Sequence, residues 1–260
     1  MLTDQIKVHA EFRSENLESG RKVYVYLPPG YEADPERRYP VLYMHDGQNL
    51  FDPTEAFGGV PWAVDETAQH LIVSGEVSPL IIVGVHNAGA TRIDEYTPVP
   101  AQRGRMRGRG GKAELYGRML IEELKPFIDG EYRTRPEREF TGLGGSSLGG
   151  LVSLHLGLKH PDVFSRLAIM SPSVWWGNNQ IIRETAMIGE RLPLRIWLDI
   201  GKREGPQIKH QVRALKEILL ANGWRSGEDF AYFEFPGAQH DESAWAARFG
   251  EVLKFLYPPL

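Results

Sequence analysis

The 260-residue chain contains no cysteine. That excludes a disulfide framework, a thiolate metal site and a thiol nucleophile, and it leaves the redox compartment open. No run approaches the roughly 20 apolar residues of a membrane helix. The N-terminus, Met1–Ala10, places acidic and polar residues where a signal peptide needs an apolar core. A cytoplasmic protein with no membrane partner is therefore expected. An excess of one charge is missing too: 30 Lys+Arg against 34 Asp+Glu gives a net charge of −4, too balanced for a nucleic-acid binder on global grounds. There is no His-Glu-x-x-His motif and no clustered ligand spacing, so the sequence calls for neither a metal nor another cofactor.

What is present is ordinary for a globular enzyme: 42% apolar and 25% charged residues, in a chain long enough to bury a large core. Short apolar runs alternate with amphipathic stretches. Val23–Leu27 alternates like an antiparallel strand, whereas Pro40–His45 and Leu80–His86 are near-continuous apolar runs of the kind buried on both faces. Further strands are expected at Arg138–Leu143, Arg166–Met170, Leu194–Ile200 and Phe230–Phe235. Helical patterns cover Trp62–Val73, Glu114–Ile128, Leu148–Lys159, Gln207–Ala221 and Ser243–Leu256. Pro206 suits a first helical turn and Gly223 a C-terminal stop. The alternation predicts an α/β fold, a mostly parallel central sheet with helices on both faces. Neither an internal repeat nor a linker interrupts it, so residues 1–260 read as one domain. The one shift in composition is the Arg- and Gly-rich segment Gln102–Lys112, expected to be a mobile loop. It is either a solvated tip or a flap that attracts anions to the site.

The most informative segment is Gly145-Ser146-Ser147-Leu148-Gly149, at the end of one expected strand and the start of the next helix. It fits the G-x-S-x-G nucleophile elbow with Ser147 at its centre. A sharp strand-to-helix turn projects the hydroxyl from the sheet edge, and glycine on either side lets strand and helix approach closely. A plain strand-to-helix turn would explain the glycines alone. A P-loop is disfavoured because no Lys-Ser/Thr pair follows.

An elbow of this kind requires an acid and then a histidine further along the chain. Of the later histidines, His155 lies mid-helix as a packing residue, His160 ends that helix, and His210 sits early in a surface helix. His240 alone falls in a loop after the last strand, where an imidazole can leave the sheet edge toward Ser147 as general base. Glu204, in the loop after Arg195–Ile200, is the favoured acid. Asp199 stays open as the alternative, although it still lies within the strand. Asp241 and Glu242 are expected to cap the final helix. Two backbone N–H groups must face the developing oxyanion. Leu148, opening its helix, supplies one; Gly47 or Gln48, after the strand at Val41–Met44, supplies the other, with Asp46 bracing that loop. Trp175 and Trp176 either pack internally or wall a substrate pocket, to which Asp46 is also assigned. Arg92, Asp94, Glu95 and Tyr96 read as a loop-fixing polar cluster.

The stretches Leu27–Tyr31, Tyr39–Gln48, Gly144–Gly150, Ser171–Trp176 and Gly237–His240 together resemble the putative-esterase family of α/β-hydrolases. That group includes esterase D, enterochelin-esterase-like proteins, feruloyl and acetyl-xylan esterases, and mycolyltransferases. The resemblance runs from about Val23 to Leu256. It implies the α/β-hydrolase fold and a serine hydrolase acting on a small-molecule ester through Ser147, His240 and a Glu204-like acid, and it supports the oxyanion loop around Asp46–Gln48. S-formylglutathione hydrolases are less similar, because Ser146 and Leu148 stand where their elbow carries histidine and methionine. The same triad would serve an acyltransferase, which differs in delivering the acyl group to an alcohol. A non-catalytic binding protein on this fold would usually have lost a triad member.

Overall fold

A computed structural model describes residues 5–17 and 20–259. Eight strands form one sheet: β1 (Ile6–Phe12), β2 (Arg21–Tyr26), β3 (Val41–His45), β4 (Ile81–Val85), β5 (Thr141–Ser146), β6 (Arg166–Met170), β7 (Arg195–Gly201) and β8 (Phe230–Phe235). Their spatial order is β1-β2-β4-β3-β5-β6-β7-β8. β1 and β2 pair antiparallel, β2 pairs antiparallel with β4, and every later pairing is parallel. This is the α/β-hydrolase architecture. Parallel strands need crossovers, and the helices that make them cover both faces of the sheet.

The helices are α1 (Val64–Val73), the short α2 (Arg92–Glu95), α3 (Ala113–Arg118), α4 (Lys125–Glu131), α5 (Leu148–Lys159), α6 (Trp176–Ile188), α7 (Pro206–Ala221) and α8 (Glu242–Leu256). A π-helical segment, Met119–Leu124, joins α3 to α4. Pro126 follows after Lys125, and a proline that cannot donate its backbone bond is a local cause of such irregularity. The period-2 geometry of the strands divides their side chains between two cores. Val23, Val25, Val41 and Tyr43 pack with residues of α3, α5, α6 and α7. Tyr24, Tyr26, Leu42 and Met44 pack with α1 and α8. Among the described residues, no helix is long and apolar enough to cross a membrane.

Four elements depart from the sequence reading. The strand expected at Arg138–Leu143 starts only at Thr141, after a 3-10 turn over Arg138–Phe140, and runs on to Ser146. β1 was not expected: it is an edge strand whose inner residues are mostly exposed or half-buried, so it lacks an apolar signature. No helix is expected between Lys159 and Gln207, yet α6 is assigned from Trp176. Gly177, Asn178 and Asn179 carry φ of 56°, 56° and 61°, so regular helix starts only after them. The Gln102–Lys112 segment is closed at its base rather than loose. Ala101 donates to Arg109 O (2.8 Å), Gly108 to Ala101 O (2.8 Å) and Gly111 to Thr97 O (3.0 Å).

Candidate active site

β5 carries no large side chain after Leu143 and is buried throughout, which lets α5 start tight against it. A Cβ added to Gly145 would lie 3.2 Å from the Gly149 Cα. Between them Ser147 adopts φ 57°, ψ −118°, a conformation costly for a residue with a side chain and held only where its surroundings impose it. Two backbone bonds do so: Ser147 N–H donates to Met170 O at 3.0 Å, and Ser173 N–H donates to Ser147 O at 2.9 Å. The hydroxyl is thereby fixed at the C-terminal edge of the sheet.

Three of the expected site residues meet there. Ser147 Oγ lies 2.9 Å from His240 Nε2, and His240 Nδ1 lies 2.8 Å from Glu204 Oε2. Glu204 Oε1 accepts from the Ser171 hydroxyl at 2.6 Å and from the Gly201 N–H at 2.8 Å. Burial opposes ionisation of Glu204, but the bonds from His240, Ser171 and Gly201 outweigh it and hold its pKa below the usual carboxylate value. The acceptor faces Nδ1, so that nitrogen carries the proton, leaving the Nε2 lone pair directed at the serine. Ser173 Oγ sits 3.2 Å from Ser147 Oγ on the other side.

Asp199 takes no part in that chain. It is fully buried and pairs with Arg248, Nη2 to Oδ1 at 2.9 Å, while Trp197 Nε1 donates to Oδ2 at 2.8 Å. Burial pushes its carboxyl up, against these partners. Of the two residues expected to cap α8, Asp241 does so, accepting from Ala244 N–H at 2.8 Å. Glu242 does not. Its carboxylate turns into the cleft, where Asn49 Nδ2 donates at 3.1 Å and the Trp62 indole N–H also donates. Burial pushes that carboxyl up to about 6, although the Trp62 bond works the other way.

Leu148 opens α5, so its N–H is among the helix-terminal donors without an intrahelical acceptor. The facing loop turns at Asp46, φ 57°. Gly47 packs on β4 so closely that a Cβ would lie 2.5 Å from the Gly84 carbonyl carbon. Gln48 borders the cleft with Ser147, and its Oε1 accepts from Asn87 N–H at 3.3 Å. Asp46 is held by Arg92 and by Asn87 Nδ2 (2.6 Å), and its N–H donates to the Tyr96 hydroxyl at 3.1 Å. Glu95 is spent elsewhere, on a buried pair with Arg21 at 3.0 Å.

One cleft contains the serine, and a second borders its neighbour Leu148. The first, about 570 Å³, is bordered by Ser147, His240, Arg92, Glu242 and Trp245 among others. The second, about 600 Å³, is bordered by Leu148, Ile93, Trp175, Trp176, Arg103 and Arg105. The two tryptophans divide their roles: Trp176 is buried and donates to Val99 O at 2.7 Å, whereas Trp175 is 46% exposed and faces the second cleft. His155 lies buried between Glu114 (3.0 Å) and Glu184 (3.4 Å), away from the site. Sequence reasoning missed Ser171, Ser173, Asn87 and Arg248.

A family model described as "Putative esterase" matches residues 14–256. An uncharacterized protein of Bacillus subtilis, YbbA, is 28% identical over 255 residues, spanning 94% of this chain and 95% of that one. The ferri-bacillibactin esterase BesA of the same organism is 30% identical over 251 residues, 88% of this chain and 81% of that protein. Among solved structures, the BES protein of Bacillus cereus superposes with a TM-score of 0.78 at 24% identity, covering 99% of this chain and 96% of that one. The family match takes in seven of the eight strands and every helix; the chain accordingly belongs to the putative-esterase family and is a carboxylic ester hydrolase.

Proposed function

We propose that Ser147 is the nucleophile, His240 the general base and Glu204 the acid that orients it. His240 Nε2 takes the hydroxyl proton as Oγ attacks the ester carbonyl. The N–H groups of Leu148 and Gln48 hold the oxyanion. Collapse releases the alcohol, protonated by His240, and leaves an acyl-enzyme that a His240-activated water hydrolyses. Glu204 stays ionised throughout and stabilises the imidazolium. The observation that carries this reading is the unbroken hydrogen-bonded chain from Glu204 through His240 to Ser147, at 2.8 and 2.9 Å. Asp46 and Arg92 brace the oxyanion loop.

The substrate is a small-molecule ester with an aromatic, anionic acyl part, processed in the cytoplasm by a single domain without a cofactor. Two observations support the aromatic, anionic acyl part: Trp175 with Arg103 and Arg105 along one cleft, and the likeness to a ferri-bacillibactin esterase. The test is a panel of catecholate, feruloyl and acetyl esters assayed on wild type and Ser147→Ala, with phosphonate labelling alongside. Ser147→Ala should lose hydrolysis and labelling together; retained hydrolysis sinks the assignment. Acetyl esters turned over faster than every aromatic ester would remove the substrate reading.

A further inference from the structure

Behind Glu204 lies a second hydrogen-bonded set that the catalytic chain alone does not require. Arg248 Nη2 lies 2.7 Å from Ser171 Oγ and 2.9 Å from Asp199 Oδ1. Ser171 Oγ lies 2.6 Å from Glu204 Oε1. The Ser171 N–H is held by Asp199 as well, through Oδ1 and through the main-chain carbonyl, each at 3.1 Å. Asp199 and Ser171 are fully buried, and Arg248 is 2% exposed.

The chemistry of the groups fixes every direction in this set. Arginine only donates. Ser171 must therefore accept from Arg248, which leaves its single proton for Glu204. Glu204 Oε1, already receiving the Gly201 N–H, is saturated, and Oε2 is left to His240 alone. The polarity of the reacting end thus follows from a fixed cation four groups away.

Ser171 also separates two charges. Asp199 neutralises Arg248, so Glu204 receives a neutral hydroxyl rather than a guanidinium. A direct Arg248–Glu204 pair would compete with His240 for the carboxylate. The backbone at this position adds an independent sign. Ser171 has φ 41°, a region that favours glycine and costs a residue with a Cβ on the order of 1 kcal/mol. Glycine would fit the backbone better and could not donate to Glu204.

We propose that Ser171 is a positioning residue for the ester hydrolysis: held by Arg248 and Asp199, it locks Glu204 in the rotamer that orients His240. This inference rests on the Ser147–His240–Glu204 reading. Its test is Ser171→Gly, which relieves the backbone strain while deleting the hydroxyl, with Ser171→Ala as the second variant. Expected are a kcat lower by between about 10-fold and 10²-fold, KM within twofold, a Tm lower for Ser171→Ala than for Ser171→Gly because only glycine relieves the backbone strain, and phosphonate labelling of Ser147 slowed by the same factor as kcat. Wild-type kcat and labelling rate in either folded variant would overturn it. So would a loss of Tm with both rates intact, because that is what a merely structural hydroxyl gives. Ser147→Ala separates the two levels: if it remains active the catalytic reading fails, and if it is inactive while Ser171→Gly matches wild type only the positioning role fails.

Discussion

Arg92 grips both carboxylate oxygens of Asp46, Nε to Oδ1 at 2.6 Å and Nη2 to Oδ2 at 2.7 Å. Asp46 immediately precedes Gly47 and Gln48 and sits at φ 57°, so the pair clamps a strained turn beside the serine. Its side chain is only 9% exposed, against 25% for Arg92. Removing one partner of a pair that far from water strands the other. Arg92→Ala should cost about 2 kcal/mol in denaturant unfolding, less than a fully buried pair because Arg92 is partly wet. It should also lower kcat/KM by on the order of 10-fold or more, mostly in kcat. Steady-state kinetics at wild-type values would show that the clamp does not support catalysis.

Gly47 tests the same loop from its other side. A Cβ there would stand 2.5 to 2.7 Å from main-chain atoms of Gly84 and Val85, and backbone cannot yield as a flexible side chain does. Gly47→Ala should lower unfolding free energy by about 3 kcal/mol and reduce hydrolysis in whatever fraction folds. The control is Gly130→Ala, in α4, where nothing lies within 4 Å of the added carbon. That change should be neutral or stabilise by about 0.5 kcal/mol, through lost freedom of the unfolded chain. Equal thermal stability for the two variants would contradict the packing account.

The legible parts of this site were those signalled locally. Ser147 is announced by glycines two residues away, His240 by its place between the last strand and helix, and Glu204 by lying one loop beyond Asp199. The rest depends on contacts that spacing does not encode. Arg248 reaches Ser171 across 77 residues of chain and looks like any polar residue on an amphipathic helix. Glu242 reads as a cap because Asp241 beside it is one; its turn into the cleft depends on Trp62, 180 residues away. Trp175 and Trp176 are indistinguishable as letters and differ only because one indole finds the Val99 carbonyl. The fold was legible for the central strands, whose apolar runs mark burial on both faces. It failed at β1, whose side chains are largely in solvent.

Glu242 gives the site a pH signature. Burial raises its carboxyl from an ordinary 4.5 to about 6, so the folded protein favours the protonated form. The stability this contributes is full below about pH 4.5 and is lost as pH rises through about 6. Glu242→Gln removes the charge at the cost of one acceptor, because Asn49 and Trp62 donate to different carboxylate oxygens and the amide offers only one. The variant's Tm relative to wild type should therefore rise between about pH 4.5 and 6 and stay level above that. A Tm difference independent of pH would mean that Glu242 is not held against ionisation.

The two clefts make separable predictions for substrate choice. Trp175 is 46% exposed and faces the second cleft with Arg103 and Arg105, so an aromatic acyl group can lie against its ring while the guanidinium groups attract negative charge. Trp175→Ala should raise KM for aromatic esters by roughly 5-fold to 10-fold, as expected for losing about 1 kcal/mol of ring contact, and leave acetyl esters unaffected. Replacing Arg103 and Arg105 with Gln should weaken binding of anionic aromatic esters alone. It should also flatten the salt dependence of their kcat/KM, because exposed charges act through a screened field. Trp175→Ala should not change that salt dependence. If both variants affected acetyl and aromatic esters alike, the second cleft would have no part in selecting the acyl group.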